Sequence, residues 1–190
     1  MSNRYENWYC DIAPGDPIHG PYHDDEYGLP RDGEAVLLEL LSLEIFQAGL
    51  SWELILKKRP ATFEAFDGFE VDVVASYSDD DIERLLANAG IIRNRLKITS
   101  IIENARRIQD MRESHGGFAR FLEIHHPMAK SGWVKLFKKT FKFTGGEIVN
   151  EFLMSLGYLP GAHSPGCPAY KRILKEKPPW MCVDAAIFEE

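Results

Sequence analysis

Cysteine and histidine occur in this sequence as two small groups that only a fold could join. Cys10 and His23 fall near one end of the chain, and His163 and Cys167 fall near the other. Two thiolates and two imidazoles are ligand types that Zn²⁺ prefers, and four of them close a tetrahedral shell. A closed shell leaves no position for a reacting water, so a zinc held there would be structural and would tie the two ends together. The spacing matches no zinc-finger pattern. Buried thiols with unrelated histidines stay open as the other reading.

A second constellation centres on a carboxylate. A helix is expected from Gly33 to Ala48, with Asp32 as its cap and Glu34 in its first turn. Leu37, Leu40, Leu41 and Ala48 would form its buried stripe, and Glu44 falls on that stripe. A carboxylate facing a core is costly unless something pairs with it. Either a buried Arg bridges Glu44, or it floors a pocket for a ligand that donates hydrogen bonds or carries positive charge. Gln47-Ala48-Gly49-Leu50-Ser51-Trp52 follows, a helix end at a glycine and then a Trp. That Trp either packs in the core or stacks a flat ligand.

The third constellation is Lys138-Lys139-Thr140-Phe141-Lys142-Phe143-Thr144-Gly145-Gly146-Glu147. A basic helix ends there in a short hairpin whose glycines open the next helix. Free N–H groups at a helix start bind phosphate, and glycines let the phosphate approach. The plain alternative is a helix–helix corner with a Gly turn. Gly90-Ile91-Ile92-Arg93-Asn94-Arg95 is a weaker candidate of the same kind.

The elements that must position these residues are helical. Ser78 caps a helix over Asp79–Ala89, Asp81 completes a capping box, and Gly90 ends it. Another, Arg93–Glu113, carries Ile98, Ile101, Ile102, Ala105 and Ile108 on one face. Shorter helices are expected at Phe118–Ile124, Trp133–Thr140 and Glu147–Leu156, with a Pro-rich tail, irregular near Lys177–Trp180, after Cys167. Alternating strand patterns are nearly absent, so the class is all-α. The chain has 190 residues, 45% of them hydrophobic, which suits one globular domain spanning 1–190. No apolar run reaches the ~18–20 residues of a membrane span. Three cysteines make no disulfide framework, and the reading is a cytoplasmic protein in a reducing compartment. The net charge of −7 argues against nucleic acid, but its distribution does not. Between Gly90 and Gly145 twelve Lys or Arg face four Asp or Glu. A basic stretch on an acidic body suits either a one-sided anion grip or an uneven solvated surface.

Read together, Tyr22-His23-Asp24-Asp25-Glu26-Tyr27-Gly28, Leu43-Glu44, Gln47-Ala48-Gly49-Leu50-Ser51-Trp52, Leu56-Lys57-Lys58-Arg59, Ala89-Gly90-Ile91-Ile92-Arg93, Phe141-Lys142-Phe143 and the His163 to Cys167 spacing occur in a characteristic order. In that order the sequence resembles the DNA-3-methyladenine glycosylase I family from about Cys10 to Cys167. The resemblance implies an all-helical helix-hairpin-helix glycosylase fold with its ends stapled by a structural Zn²⁺ on Cys10, His23, His163 and Cys167. It implies a zinc segment at about 1–30, a helical body at 31–130, the helix-hairpin-helix at 133–157, and the remaining ligands with the tail at 158–190. Glu44 would be the catalytic and base-recognising carboxylate, with Tyr22, Tyr27, Phe46 and Trp52 around the base. Gly49, Leu50, Lys142, Thr144, Gly145 and Gly146 would meet alkylated double-stranded DNA, and the enzyme would act as a monomer without a membrane.

Within that resemblance, bifunctional relatives carry a Lys just after the hairpin, where this chain has Glu147, Ile148 and Val149. The wider group's attacking-water Asp has no counterpart near Pro160-Gly161-Ala162-His163. The implied enzyme therefore releases bases without nicking the strand. A zinc-stapled module that binds damaged DNA without cutting it is the competing reading, and a zinc hydrolase is disfavoured by the closed shell. The chain departs from the family pattern at Ile12, at Ile45-Phe46, at Thr144-Gly145-Gly146 and in its longer 168–190 tail.

Overall fold

The computed structural model describes residues 9–189, and the first eight residues of the expected zinc segment lie outside the described residues. Every regular element among the described residues is a helix. In chain order they begin with α1 (Tyr9–Ile12), α2 (His19–Asp25) and α3 (Glu34–Gln47), followed by α4 (Trp52–Ala65), α5 (Val71–Ala75) and α6 (Asp79–Ala87). The rest are α7 (Arg95–His115), α8 (Phe118–His125), α9 (Lys130–Thr140), α10 (Gly146–Ser155) and α11 (Tyr170–Glu176), with three short 3₁₀ turns besides.

The axis of the molecule is α3. Leu37, Leu38, Leu40, Leu41, Leu43, Ile45 and Phe46 are all buried. A helix that is apolar all round belongs in the middle of a fold, and α4, α5, α7, α8 and α10 all pack on it. The expected one-sided stripe is therefore corrected: nearly the whole circumference is covered, while Ala48 is only half-buried. The cap is corrected too, since Gly33 and not Asp32 holds the N-cap position.

The longest helix, α7, matches its expected face, because Ile98, Ile101, Ile102, Ala105 and Ile108 are all buried. It starts two residues later than expected. Asn94 Oδ1 accepts the Lys97 N–H at 3.1 Å, leaving Arg93 outside. Gly116 at φ +81° ends it. In α6 the capping box forms as expected, with Asp81 Oδ2 accepting from the Ser78 N–H and hydroxyl at 3.0 Å each. That helix stops at Ala87 rather than Ala89, because Asn88 Oδ1 turns the chain by accepting the Gly90 N–H at 2.8 Å.

The helices α1, α2, α4, α5 and α11 form where none was expected. Pro60 interrupts the helical pattern of α4, yet the helix runs through it. Tyr170–Glu176 of the tail forms α11, with Ile173 buried, so the tail is more regular than its prolines suggest. Near the joined ends, Gly28 sits at φ +83° with its N–H on Ser155 O at 2.8 Å. A Cβ there would stand 2.9 Å from Ala162 Cβ and 3.2 Å from Ile173 Cδ1. Gly28→Ala is expected to cost about 2–4 kcal/mol, from left-handed strain plus overpacking. A urea midpoint unchanged from wild type would contradict this.

Candidate functional site

Around Glu44 the structure assembles aromatic rings from three elements. The carboxylate is 5% exposed, on the axial helix α3, and has no hydrogen bond or ion pair to any described residue. No buried Arg bridges it. Burial, and after it the charge of Glu151, hold its carboxyl well above the usual range. Tyr22 comes from α2 and Trp52 from the first turn of α4, their ring centroids 5.1 Å apart at 62°. Tyr27 follows α2, with its ring 5.6 Å from Tyr22 and its Oη donating to Glu151 Oε2 at 3.0 Å. Tyr9 completes the cluster, 5.9 Å from Tyr27, with its hydroxyl 3.3 Å from His19 Nδ1.

The remaining expected base-side residue sits differently. Phe46 is fully buried and packs edge-on against Phe66 at 6.0 Å. Its carbonyl accepts from Lys97 Nζ at 2.9 Å, and Ala48 O accepts from the same amine at 2.6 Å. Lys97 thus caps the C-terminal carbonyls of α3 and fixes where the chain leaves the helix. Gly49 then turns at φ +83°, and Leu50 stands 37% exposed. On its other side the Lys97 amine lies 5.9 Å over the Phe143 ring, so it also touches the hairpin.

The hairpin is held residue by residue. Asn104 of α7, fully buried, accepts the Lys142 N–H at 2.7 Å and donates to Lys142 O at 3.1 Å. Thr144 Oγ1 donates to Phe137 O at 3.0 Å, so its side chain points inward and only its backbone faces an incoming group. No atom lies within 4 Å of a Cβ built on Gly145, and the N–H groups of Gly146 and Glu147 open α10 without partners inside it. Charge concentrates in the same place. Arg95, Arg107, Arg112, Arg120 and Lys130 are spent in ion pairs. Lys135, Lys138, Lys139 and Lys142 are exposed and form no ion pair among the described residues.

The four Cys and His residues converge on one point. Their ligand atoms lie within 4.8 Å of one another. Cys10 Sγ is 3.8 Å from His163 Nδ1, and Cys167 Sγ is 3.6 Å from His23 Nε2 and 3.5 Å from His163 Nδ1. A tetrahedral centre with bonds of about 2.0–2.3 Å spaces its ligands by roughly 3.6 Å, so the cluster fits a metal ion of that geometry. The outer ring nitrogens are oriented as metal-ligating histidines require. His23 Nδ1 meets Asp24 Oδ1 at 2.7 Å and His163 Nε2 meets Tyr27 O at 2.8 Å. Burial keeps the His163 imidazole below its ordinary range, hence neutral and able to ligate. The cluster and the aromatic site are continuous, because Tyr22 and His23 are neighbours on α2.

Sequence reasoning missed Tyr9, Lys97 and Glu151, and met Arg59 only as part of a motif. Arg59 spans Glu26 and Glu39 through four hydrogen bonds of 2.8–3.2 Å and lies 5.9 Å over Tyr22, steadying that ring. The signal was present for two of them. Lys97 and Glu151 are charged residues on or beside apolar helix faces, as Glu44 is.

The site thus gathers aromatic rings and a buried carboxylate beside an exposed leucine and a basic hairpin, residue types whose chemistry suits a flat, positively charged ligand and phosphate. Comparison with known proteins agrees. The methyladenine glycosylase family model matches residues 12–131. DNA-3-methyladenine glycosylase 1 of Escherichia coli (strain K12) is 36% identical over 180 residues, covering 85% of this chain and 96% of that protein. A structure on 3-methyladenine recognition by 3-methyladenine DNA glycosylase I from Staphylococcus aureus superposes with a TM-score of 0.76 at 32% identity, covering 85% and 95% of the two chains. A variant of 3-methyladenine DNA glycosylase I in complex with 3-methyladenine gives the same score and identity, covering 85% and 96%. This chain belongs to the methyladenine glycosylase family. Among the described residues no helix is long and apolar enough to cross a membrane.

Proposed function

We propose that this protein is a monofunctional base-excision repair glycosylase that releases 3-methyladenine from alkylated double-stranded DNA, acting as a monomer. The observation that carries the reading is Glu44, a buried carboxylate left without a partner among Tyr9, Tyr22, Tyr27 and Trp52. Methylation at N3 makes the nucleoside cationic and weakens its glycosidic bond. Flipped out of the stack, such a base meets aromatic faces and a negative charge, both of which favour a cation. Glu44 accepts hydrogen bonds from the adenine edge, which bases without those donors cannot offer. The bond then breaks with its electron pair going to the base, water adds at C1′, and the proton from that water goes to solvent.

Leu50 fills the gap left by the flipped nucleotide, and the hairpin from Lys142 to Gly146 grips the backbone phosphates in helix-hairpin-helix fashion. Cys10, His23, His163 and Cys167 hold a structural Zn²⁺ whose tetrahedral shell they fill by themselves.

Lyase chemistry needs a free amine at the sugar. The amine that meets the loop after α3, on Lys97, is engaged by two carbonyls. Borohydride is therefore expected to trap no covalent enzyme–DNA adduct, and abundant trapping would sink the monofunctional reading. The direct test is base release from N-methylated duplex DNA with 3-methyladenine and 7-methylguanine resolved. Selective 3-methyladenine release supports the proposal. Tight binding to the alkylated duplex with no released base would favour a non-catalytic damage-binding module.

A further inference from the structure

The aromatic site contains a second carboxylate, for which the chemistry described so far has no use. Glu151 lies on α10, which packs against α3, the helix that carries Glu44. Its Oε2 accepts from Tyr27 Oη at 3.0 Å and its Oε1 from Asn150 Nδ2 at 3.3 Å. Tyr27 in turn stands 5.6 Å from Tyr22. No cation pairs with Glu151 among the described residues, since the Lys130 amine on α9 is taken by Glu147 at 3.5 Å. Glu44 has neither a cation nor a hydrogen-bond donor among them. The groups that act on the pair are therefore few. Tyr27, Asn150, Glu147 and Lys130 act on Glu151, which itself acts on Glu44, and Tyr9, Tyr22 and Tyr27 lie within reach of Glu44's charge.

Building on the glycosylase reading, we propose that Glu151 is the second carboxylate of the base pocket and sets its charge selectivity, admitting bases with a fixed positive charge and rejecting neutral bases of the same shape. Two carboxylates in a poorly solvated site do not both stay ionised without a cation. Burial first, and for Glu44 the neighbouring carboxylate next, push both toward holding a proton. A cationic base takes over the role of that proton, which leaves to solvent. A neutral base brings no charge to exchange. Cleavage reverses the balance. The bond pair moves to N9 and neutralises the ring, and the proton freed as water adds at C1′ equals the one the pair takes back. The pocket then holds the neutral product less firmly than the cationic substrate.

The test uses two probes over pH 5–8: 3,9-dimethyladeninium, a permanent cation, and neutral 9-methyladenine. Binding to the full-length protein is followed for wild type, Glu151→Gln and Tyr27→Phe. Wild-type affinity for the cation is expected to rise with pH, by at most about tenfold per unit, until the pair is fully ionised. Glu151→Gln should lower the cation-to-neutral ratio at pH 8 by about tenfold and move the step to lower pH. Tyr27→Phe removes a donor but keeps the charge, so it should retain the preference and move the step upward. The opposite directions separate charge from packing.

If Glu151→Gln kept the wild-type ratio and pH course, or if both variants weakened the two probes alike, Glu151 would be only a prop for Tyr27 and the proposal would fall. Wild type binding neither probe would overturn the base-pocket reading and the proposal with it. Charge-selective binding without base release from DNA would support the proposal and overturn only the catalytic reading.

Discussion

Replacing Glu44 by Gln lowers 3-methyladenine release by roughly a hundred- to thousandfold, the loss that follows removal of one preorganised electrostatic group, while the protein becomes more stable at neutral pH. Both effects have one origin. Glu44 is buried on the central helix without a partner, and its carboxyl is held well above the usual range, by burial first and by Glu151 second. Its folded form therefore binds a proton more tightly than its unfolded form. By linkage, that makes wild-type stability fall as pH rises from the ordinary carboxyl range of the unfolded chain up to the raised folded value. Below that window the group is protonated in both states and the contribution is fully present. Gln is neutral throughout, so the variant lacks the decline. Denaturant midpoints at neutral and acidic pH should show the variant's advantage at the former and its disappearance at the latter. A less stable Glu44→Gln protein at pH 7 would mean that an unseen partner satisfies the carboxylate, and the argument for its role would weaken with it.

Stripping the metal ion that Cys10, His23, His163 and Cys167 are proposed to hold, or replacing Cys167 by Ala, is expected to cost at least about 5 kcal/mol. The cluster joins residues as far as 153 positions apart, Cys10 to His163. Closing a loop of that size removes chain entropy worth about 5 kcal/mol in a cross-link model, before any coordination energy is added. Whole domains carry only about 5–15 kcal/mol of stability, so the apo chain should be largely unfolded at 37 °C. In a chelator titration, base release and the helical circular dichroism signal should fall together. Activity lost from a chain that stays folded and keeps its Tyr22 environment would place the metal in the chemical step instead.

The all-helical class and the phase of α7 were legible because Ile98, Ile101, Ile102, Ala105 and Ile108 repeat at 3.6 residues, and a periodic face needs only local sequence to be read. The capping box at Ser78 was legible for the same reason. By contrast, Pro60 hid α4, whose stability comes from packing on α3 rather than from its own pattern. Glu44 drew notice as a carboxylate on a stripe, although the stripe is the whole surface of a buried helix. Lys97 reaching Phe46 O, 51 positions away, has no local signature, because that contact exists only once α7 crosses the end of α3. Tyr9 escaped for the same reason; Glu151, like Lys97, was marked only as a charge beside an apolar helix face, its partner Tyr27 lying 124 positions away, while the four Cys and His residues stood out by chemical type even with their spacing uninformative.

Tyr22 and His23 are adjacent on α2, and that adjacency governs when the protein becomes competent during synthesis. The ribosome makes this segment well before the two side chains that complete its Cys/His cluster, His163 and Cys167. The helical body can condense earlier around α3, but the segment that bears Tyr22 has to wait for His163 and Cys167. A product truncated before His163 would therefore carry the basic hairpin while the segment that bears Tyr22 lacks half of the cluster that anchors it.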